Sequence, residues 1–106
     1  MPLFVAQHHH SPEACPASRQ WGSLLLAHVS AATAARYGVA IQAEAVIDQE
    51  HGFILVAEAA DREHVERFMA FFARFGSVQV LPASVSEAAV ARGGCALDTE
   101  ARSQGQ

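Results

Sequence analysis

Apolar residues recur along the chain with two different periods. Alternation of apolar and polar positions, bounded by Pro or Gly, is typical of strands, and spacing by three and four residues is typical of amphipathic helices. The alternating segments are residues 3–10, 39–48, 53–59 and 77–81. The segments with helical spacing lie within residues 18–37 and from Asp61 to Gly76. The pattern therefore predicts four strands and two helical segments in the order β-α-β-β-α-β.

The second helical segment has the clearer signals. Asp61 is a good N-cap, Gly76 is a stop signal, and a buried face is predicted from residues at i, i+3, i+4 and i+7. That face consists of Val65, Phe68, Met69 and Phe72.

The first helical segment is weaker. Its apolar stripe is Trp21, Leu25, Val29 and Ala32, and Gly38 supplies a left-handed stop. Gly22 and Ser30 weaken the helix, so it is expected either as one helix or as two pieces.

With right-handed crossovers, this order of elements favours an α+β ferredoxin-like sandwich. Its antiparallel four-stranded sheet would carry both helices on one face. We expect this domain over residues 1–83 and a partly flexible C-terminal extension over 84–106. Within the extension, residues 84–95 are compatible with a weak helix or an extra edge strand, and residues 98–106 are expected to fray.

The predicted face of the sheet that the helices leave uncovered is mixed. Its large apolar residues are Leu3, Val5, Val46, Ile54, Val56 and Leu81. Two such faces packed together would make a homodimer of the dimeric α+β barrel type with a polar-lined cavity. The alternative is an ordinary half-solvated antiparallel sheet.

Composition narrows the classes of function. The net charge is −4, and all 7 basic residues are arginines, so a catalytic or phosphate-binding lysine is excluded. A mildly acidic chain without a basic cluster is a poor nucleic-acid binder, and no apolar stretch has the length of a membrane span. We expect a cytoplasmic protein with no nucleic-acid or membrane partner.

The run His8-His9-His10 is the most informative local feature. On a strand His8 and His10 point the same way, about 6.6–6.8 Å apart at their Cα atoms, and His9 points to the other side. Two imidazoles at this spacing can reach one metal ion, and imidazole suits Zn, Ni and Cu. The alternative is three solvated histidines at a strand end.

Two further groups are candidates for the same chemistry. Glu44 and Glu58, on adjacent strands, are predicted to share one patch as oxygen ligands or as an acid/base pair facing His9. Cys15, in a proline-rich loop, would raise the affinity for Zn or copper, although its spacing matches no established motif. Cys95 is expected to be an unremarkable thiol, and His51, in the hairpin turn, is expected to be solvated.

A family likeness adds to these candidates. The opening Pro2-x-Phe4 followed by His8-His9, together with Gly38-Val39, Asp48-x-Glu50 and Glu58, resembles a small bacterial family of ferredoxin-like domains of unknown function that includes nickel-binding proteins. The resemblance spans roughly residues 1–82. It implies that His8 and His9 bind a divalent metal, with nickel as the first candidate, and that the domain self-associates through its sheet.

Two functions of different classes follow. The first is a small, non-enzymatic protein that binds a transition metal (Ni, Zn or Cu) through His8, His9 and His10, with Cys15, Glu44 and Glu58 as further ligands. The second is a cofactor-independent oxygenase or isomerase of the dimeric α+β barrel type, with His9, Glu44 and Glu58 in a cavity on the sheet face. A module that only binds a partner protein is a third possibility.

Overall fold

Strand β1 (Leu3–His10) is an inner strand of the sheet and pairs with a strand on each side. In the computed structural model, which describes residues 1–96, four strands form one antiparallel sheet. The strands are β1 Leu3–His10, β2 Val39–Ile47, β3 Gly52–Ala59 and β4 Gly76–Ala83, and their order in the sheet is β2-β3-β1-β4. The helices are α1 Gly22–His28, α2 Ala31–Arg36, α3 Arg62–Ala73 and α4 Ser86–Ala91.

Both crossover connections leave a gap of one strand. Strands β1 and β2 are joined through α1 and α2 and are separated by β3, whereas β3 and β4 are joined through α3 and are separated by β1. Because every neighbouring pair is antiparallel, each crossover links two parallel strands that do not touch. The predicted α+β class and the four-stranded antiparallel sheet are confirmed.

The core lies between one face of the sheet and the helices. Its fully buried side chains include the predicted face of α3, namely Val65, Phe68, Met69 and Phe72. From the sheet come Phe4, Ala6, Phe53, Leu55 and Ala57, and from the first crossover come Leu25 and Ala34. Phe72 stacks on Phe53 with ring centroids 4.5 Å apart, which joins α3 to the middle of the sheet.

The first helical segment is divided in two. Ser30 has extended backbone and its hydroxyl accepts a hydrogen bond from the Thr33 amide at 3.2 Å, so it is the N-cap of α2. This break shifts the helical phase. Ala34 is therefore buried, whereas Ala32, in the predicted stripe, is exposed.

A β-bulge in β2 changes which residues share a face. Ile41 lies opposite Ala57, but the next aligned residue is Ala43, opposite Val56, so Gln42 is the additional residue. The alternation predicted for β2 is therefore wrong beyond Ile41. Glu44 and Val46 lie on the helix side of the sheet, and Ala43, Ala45 and Ile47 lie on the open side.

The C-terminal extension begins with a short helix, which decides between the two predictions for residues 84–95. Helix α4 buries none of its residues, and Val90 is 78% exposed. The fraying predicted for residues 98–106 lies outside the described residues. Within the described part of the chain, every helix is too short or too polar to cross a membrane.

Candidate metal centre

The C-terminal end of β1 lies beside the beginnings of β3 and β4, at one end of the strands of the sheet. His9 lies opposite Gly52 of β3, and His10 lies opposite Gly76 of β4. The His10 amide also donates to the carbonyl of His51 at 3.1 Å, so the β2–β3 turn adjoins the end of β1. Glycine at position 76 allows the beginning of β4 to approach the end of β1 closely, because a Cβ at that position would overlap the carbonyl oxygen of His9.

His8 is fully buried and its ring is fixed at both nitrogens. Its Nδ1–H donates to the carbonyl of Ser77 at 2.9 Å, and its Nε2 lies 3.0 Å from Nδ1 of His10. A carbonyl can only accept, so the neutral His8 ring carries its proton on Nδ1 and accepts from His10 through Nε2. The two rings are stacked with centroids 5.0 Å apart, and His8 also contacts Phe72.

These bonds leave His10 with one free nitrogen. Because its Nδ1–H donates to His8, the neutral ring has its lone pair on Nε2. This Nε2 is buried, and no hydrogen-bond partner for it lies among the described residues. A buried acceptor without a partner costs free energy, and a cation at this lone pair would remove the cost.

Cys15 reaches the same place from the loop after β1. Before Cys15, a 3-10 turn over Pro12–Ala14 is closed by the Ala14 amide, which donates to the Ser11 carbonyl at 3.0 Å. After Cys15, the side chain of Pro16 is buried. Prolines on both sides restrict the backbone on which the thiol is carried. Cys15 is a free, half-buried cysteine.

His51 is the functional candidate that the sequence analysis missed. It has a positive φ of 51°, an uncommon conformation for a residue other than glycine. Its ring centroid lies 5.4 Å from that of His10, at an interplanar angle of 75°. The predicted solvated side chain is in fact half-buried beside the β1 histidines.

His10, Cys15 and His51 form a group with the donor atoms of a metal centre. One ligand atom from each residue, an imidazole nitrogen or the thiol sulfur, lies within 4.8 Å of the others. All three residues line one cavity of about 150 Å³. Two imidazoles and one thiol are the ligands that transition metals such as zinc and copper prefer, so this His/Cys/His group could hold such an ion.

Burial favours the neutral imidazoles that metal binding requires. Desolvation is the main cause that lowers the pKa of His8 below its usual 6.5, although the hydrogen bond to Ser77 opposes it. Desolvation also lowers the pKa of His10, and the charges that His8, His51 and His9 would carry when protonated lower it further. His10 is thus held ready to bind a cation at neutral pH.

These shifts predict that the metal-free protein loses stability in acid. At pH values between these lowered pKa values and 6.5, His8 and His10 are protonated in the unfolded chain and neutral in the folded protein. The free energy of unfolding should therefore fall as the pH falls through 6.5, by at most about 1.4 kcal/mol per pH unit for the fully buried His8 and by less for His10, whose charge solvent screens in part. Urea unfolding of the metal-free protein at pH 7.5 and 5.5 measures this.

Two variants test whether the loss of stability in acid comes from the buried histidine. His8→Phe, which removes one titrating ring, should reduce the loss of stability between the two pH values. His9→Ala, which changes an exposed histidine of the same run, should reduce that loss less than His8→Phe does, because the charge of His9 is only a minor cause of the lowered pKa values of His8 and His10. An equal pH dependence in all three proteins would contradict the assignment.

The other predicted ligands are not brought to this group. His9 is exposed on the open face, with its ring over Gly52. Glu44 lies opposite Leu55 on the helix side, whereas Glu58 lies opposite Leu3 on the open side and accepts a hydrogen bond from Gln42 at 3.5 Å. The predicted shared patch of the two carboxylates is wrong, because the bulge at Gln42 places them on opposite faces.

The histidines of the helices have local roles. His28 is sandwiched between the rings of Phe68 and Phe71, with centroids 4.5 and 4.6 Å away, and its Nε2–H donates to the carbonyl of Phe68 at 2.7 Å. His64 lies 2.6 Å from the carboxylate of Asp61, the N-cap of α3. Cys95, the other cysteine, is exposed.

Comparisons with known proteins add no family to this geometry: no protein-family model, curated protein or solved structure matches the chain. The resemblance to nickel-binding domains therefore stays a prediction from short sequence motifs.

Proposed function

We propose that this chain binds one divalent transition metal ion through His10, Cys15 and His51, and that it sequesters or senses that ion. The observation that carries the proposal is the Nε2 of His10, a buried lone pair without a partner beside a thiol and a second imidazole. The bonds from His10 to His8 and from His8 to Ser77 support it, since metal-binding histidines usually donate their other N–H to a fixed acceptor.

The spacing of the ligand atoms suits a small ion. In a tetrahedral zinc site with Zn–N of about 2.0–2.1 Å and Zn–S of about 2.3 Å, ligand atoms lie roughly 3.3–3.6 Å apart. The group has all its ligand atoms within 4.8 Å, so side-chain rotations without a change of fold would close it around an ion. Three protein ligands leave one tetrahedral position open.

Zinc is the ion we propose first. Zinc prefers thiolate and imidazole ligands, and copper also binds these two types of ligand. Nickel is favoured by the resemblance of the sequence to nickel-binding domains.

For the fold we propose the ferredoxin-like arrangement predicted from the sequence. The element order supports it, and so do the two crossovers. The connection from β1 to β2 passes over β3, and the connection from β3 to β4 passes over β1. This arrangement puts the end of β1 between the beginnings of β3 and β4, where the metal group lies.

Metal content tests the proposed function. Protein purified without an affinity tag or a metal column is analysed for Zn, Ni and Cu, and the metal-free protein is then titrated with each ion. We expect one ion per chain, with zinc bound more tightly than nickel. A protein that retains no metal and binds none of the three ions in titration would overturn the proposal.

A homodimer through the open face of the sheet is a further proposal from the sequence. Half-buried Leu3, Val5, Ile54, Val56 and Leu81 lie on that face. Val5→Glu should leave the fold intact and produce a monomer, because a buried charge in the interface is costly. Sedimentation equilibrium of both proteins measures the mass, and a wild-type monomer would contradict the proposal.

A further inference from the structure

We infer that the cavity beside the metal group is a binding site for a small, neutral molecule that coordinates the ion through one nitrogen or sulfur atom. The inference rests on the proposed function, since it uses the open fourth position of the ion.

The cavity has the size of one small ring. Its volume is about 150 Å³, and an apolar protein cavity of about this volume holds a benzene molecule. A ligand with a body of about six non-hydrogen atoms would therefore fill it.

The walls of the cavity are mainly apolar. Buried Leu25, Phe53 and Phe72 form one part of the wall, and Val46, which is 49% exposed, forms another. The bulge in β2 turns Val46 toward the helix side and so contributes it to this wall. Contact with these side chains would stabilise an apolar body by removing its surface from water.

The charges around the cavity favour a neutral ligand. Besides the proposed metal ligands, the polar residues in the wall are Asp48 and Gln49. A divalent ion with the Cys15 thiolate would keep one positive charge, and the Asp48 carboxylate in the cavity wall would offset it. An anionic head group would gain little from such a site, whereas an uncharged nitrogen or sulfur donor needs no counter-charge.

Pyridine is the probe, because it has the size of benzene and one uncharged nitrogen donor. The protein is loaded with Co²⁺, whose visible spectrum reports the coordination of the ion, and is titrated with pyridine. We expect a saturable spectral change. Benzoate, which has the same ring and an anionic head, should bind about tenfold more weakly or worse.

Variants locate the binding in the cavity. Val46→Phe fills the cavity from an exposed residue and should weaken pyridine binding by about tenfold or more, with Co²⁺ affinity unchanged. The matched control is Val90→Phe, at an exposed valine of α4, which should change neither affinity.

The outcomes separate the two proposals. Failure of Co²⁺ to bind would overturn the proposed function and this inference together. Normal Co²⁺ binding with no spectral response to pyridine, or with equal pyridine affinity in the wild type and Val46→Phe, would overturn the inference alone.

Discussion

Replacing Cys15 by serine is expected to lower the affinity of the protein for zinc by about 100-fold or more. The thiolate is the softest ligand of the proposed centre, and loss of outer-shell partners alone commonly costs 10–100-fold in metal affinity. His10→Ala and His51→Ala should have comparable effects, because each would leave two protein ligands. Competition with a chromophoric chelator of known affinity measures the change.

Two control variants match these substitutions. Cys95→Ser changes the other cysteine, which is exposed, and His9→Ala changes the neighbouring histidine on the open face. Both should retain the zinc affinity of the wild type. If Cys95→Ser weakened binding as much as Cys15→Ser, or if His9→Ala weakened it as much as His10→Ala, the assigned ligands would be wrong.

Replacing His8 by phenylalanine is expected to lower the zinc affinity by about 10–100-fold while one ion per chain still binds. His8 contributes no ligand atom in our proposal. Its Nε2 accepts the proton of His10 Nδ1 and thereby directs the lone pair of His10 to the free Nε2. Phenylalanine retains a ring against Phe72 but removes this acceptor, so His10 loses the bond that fixes its tautomer and its orientation.

The matched control for His8 is His28→Phe. His28 also stacks on aromatic rings and donates to a backbone carbonyl, but its partners are Phe68 and Phe71. Both substitutions can lower the stability of the fold, and only His8→Phe should lower the zinc affinity of the folded protein. A zinc affinity unchanged in His8→Phe would show that the bond between the two histidines does not support the site. Complete loss of zinc in this variant, with the fold retained, would indicate that His8 is itself a ligand.

Local patterns in the sequence were sufficient to predict most of the helices and strands. Helix α3 has a capping Asp61 and a regular apolar stripe, and both are found as predicted. The strands of the sheet were also found close to their predicted positions, because alternation and Gly or Pro boundaries are local signals.

The bulge in β2 could not be predicted in this way. The segment around Gln42 alternates regularly in sequence, and its one additional residue appears only in the pairing with β3. A shift of one residue exchanges the two faces of a strand, and this is why regular alternation predicts the wrong side of the sheet for Glu44.

The candidate site was predicted in part, because His10 and Cys15 were among the proposed ligands and His51 was not. A histidine in a turn carries no local sign of burial. The signal that would have found it is the register of β1 with β3, in which the residue before Gly52 adjoins His10. The spacing of His8 and His10 predicts two ligands of one ion, whereas a nitrogen of one ring is hydrogen-bonded to a nitrogen of the other at 3.0 Å.

X-ray absorption spectroscopy of the zinc-loaded protein tests the central claim most directly. The proposed centre predicts a first shell with one sulfur at about 2.3 Å and two imidazole nitrogens at about 2.0–2.1 Å, completed by one light atom. The sulfur should disappear in Cys15→Ser and persist in Cys95→Ser. A shell of nitrogen and oxygen atoms alone in the wild-type protein would contradict a centre built from His10, Cys15 and His51.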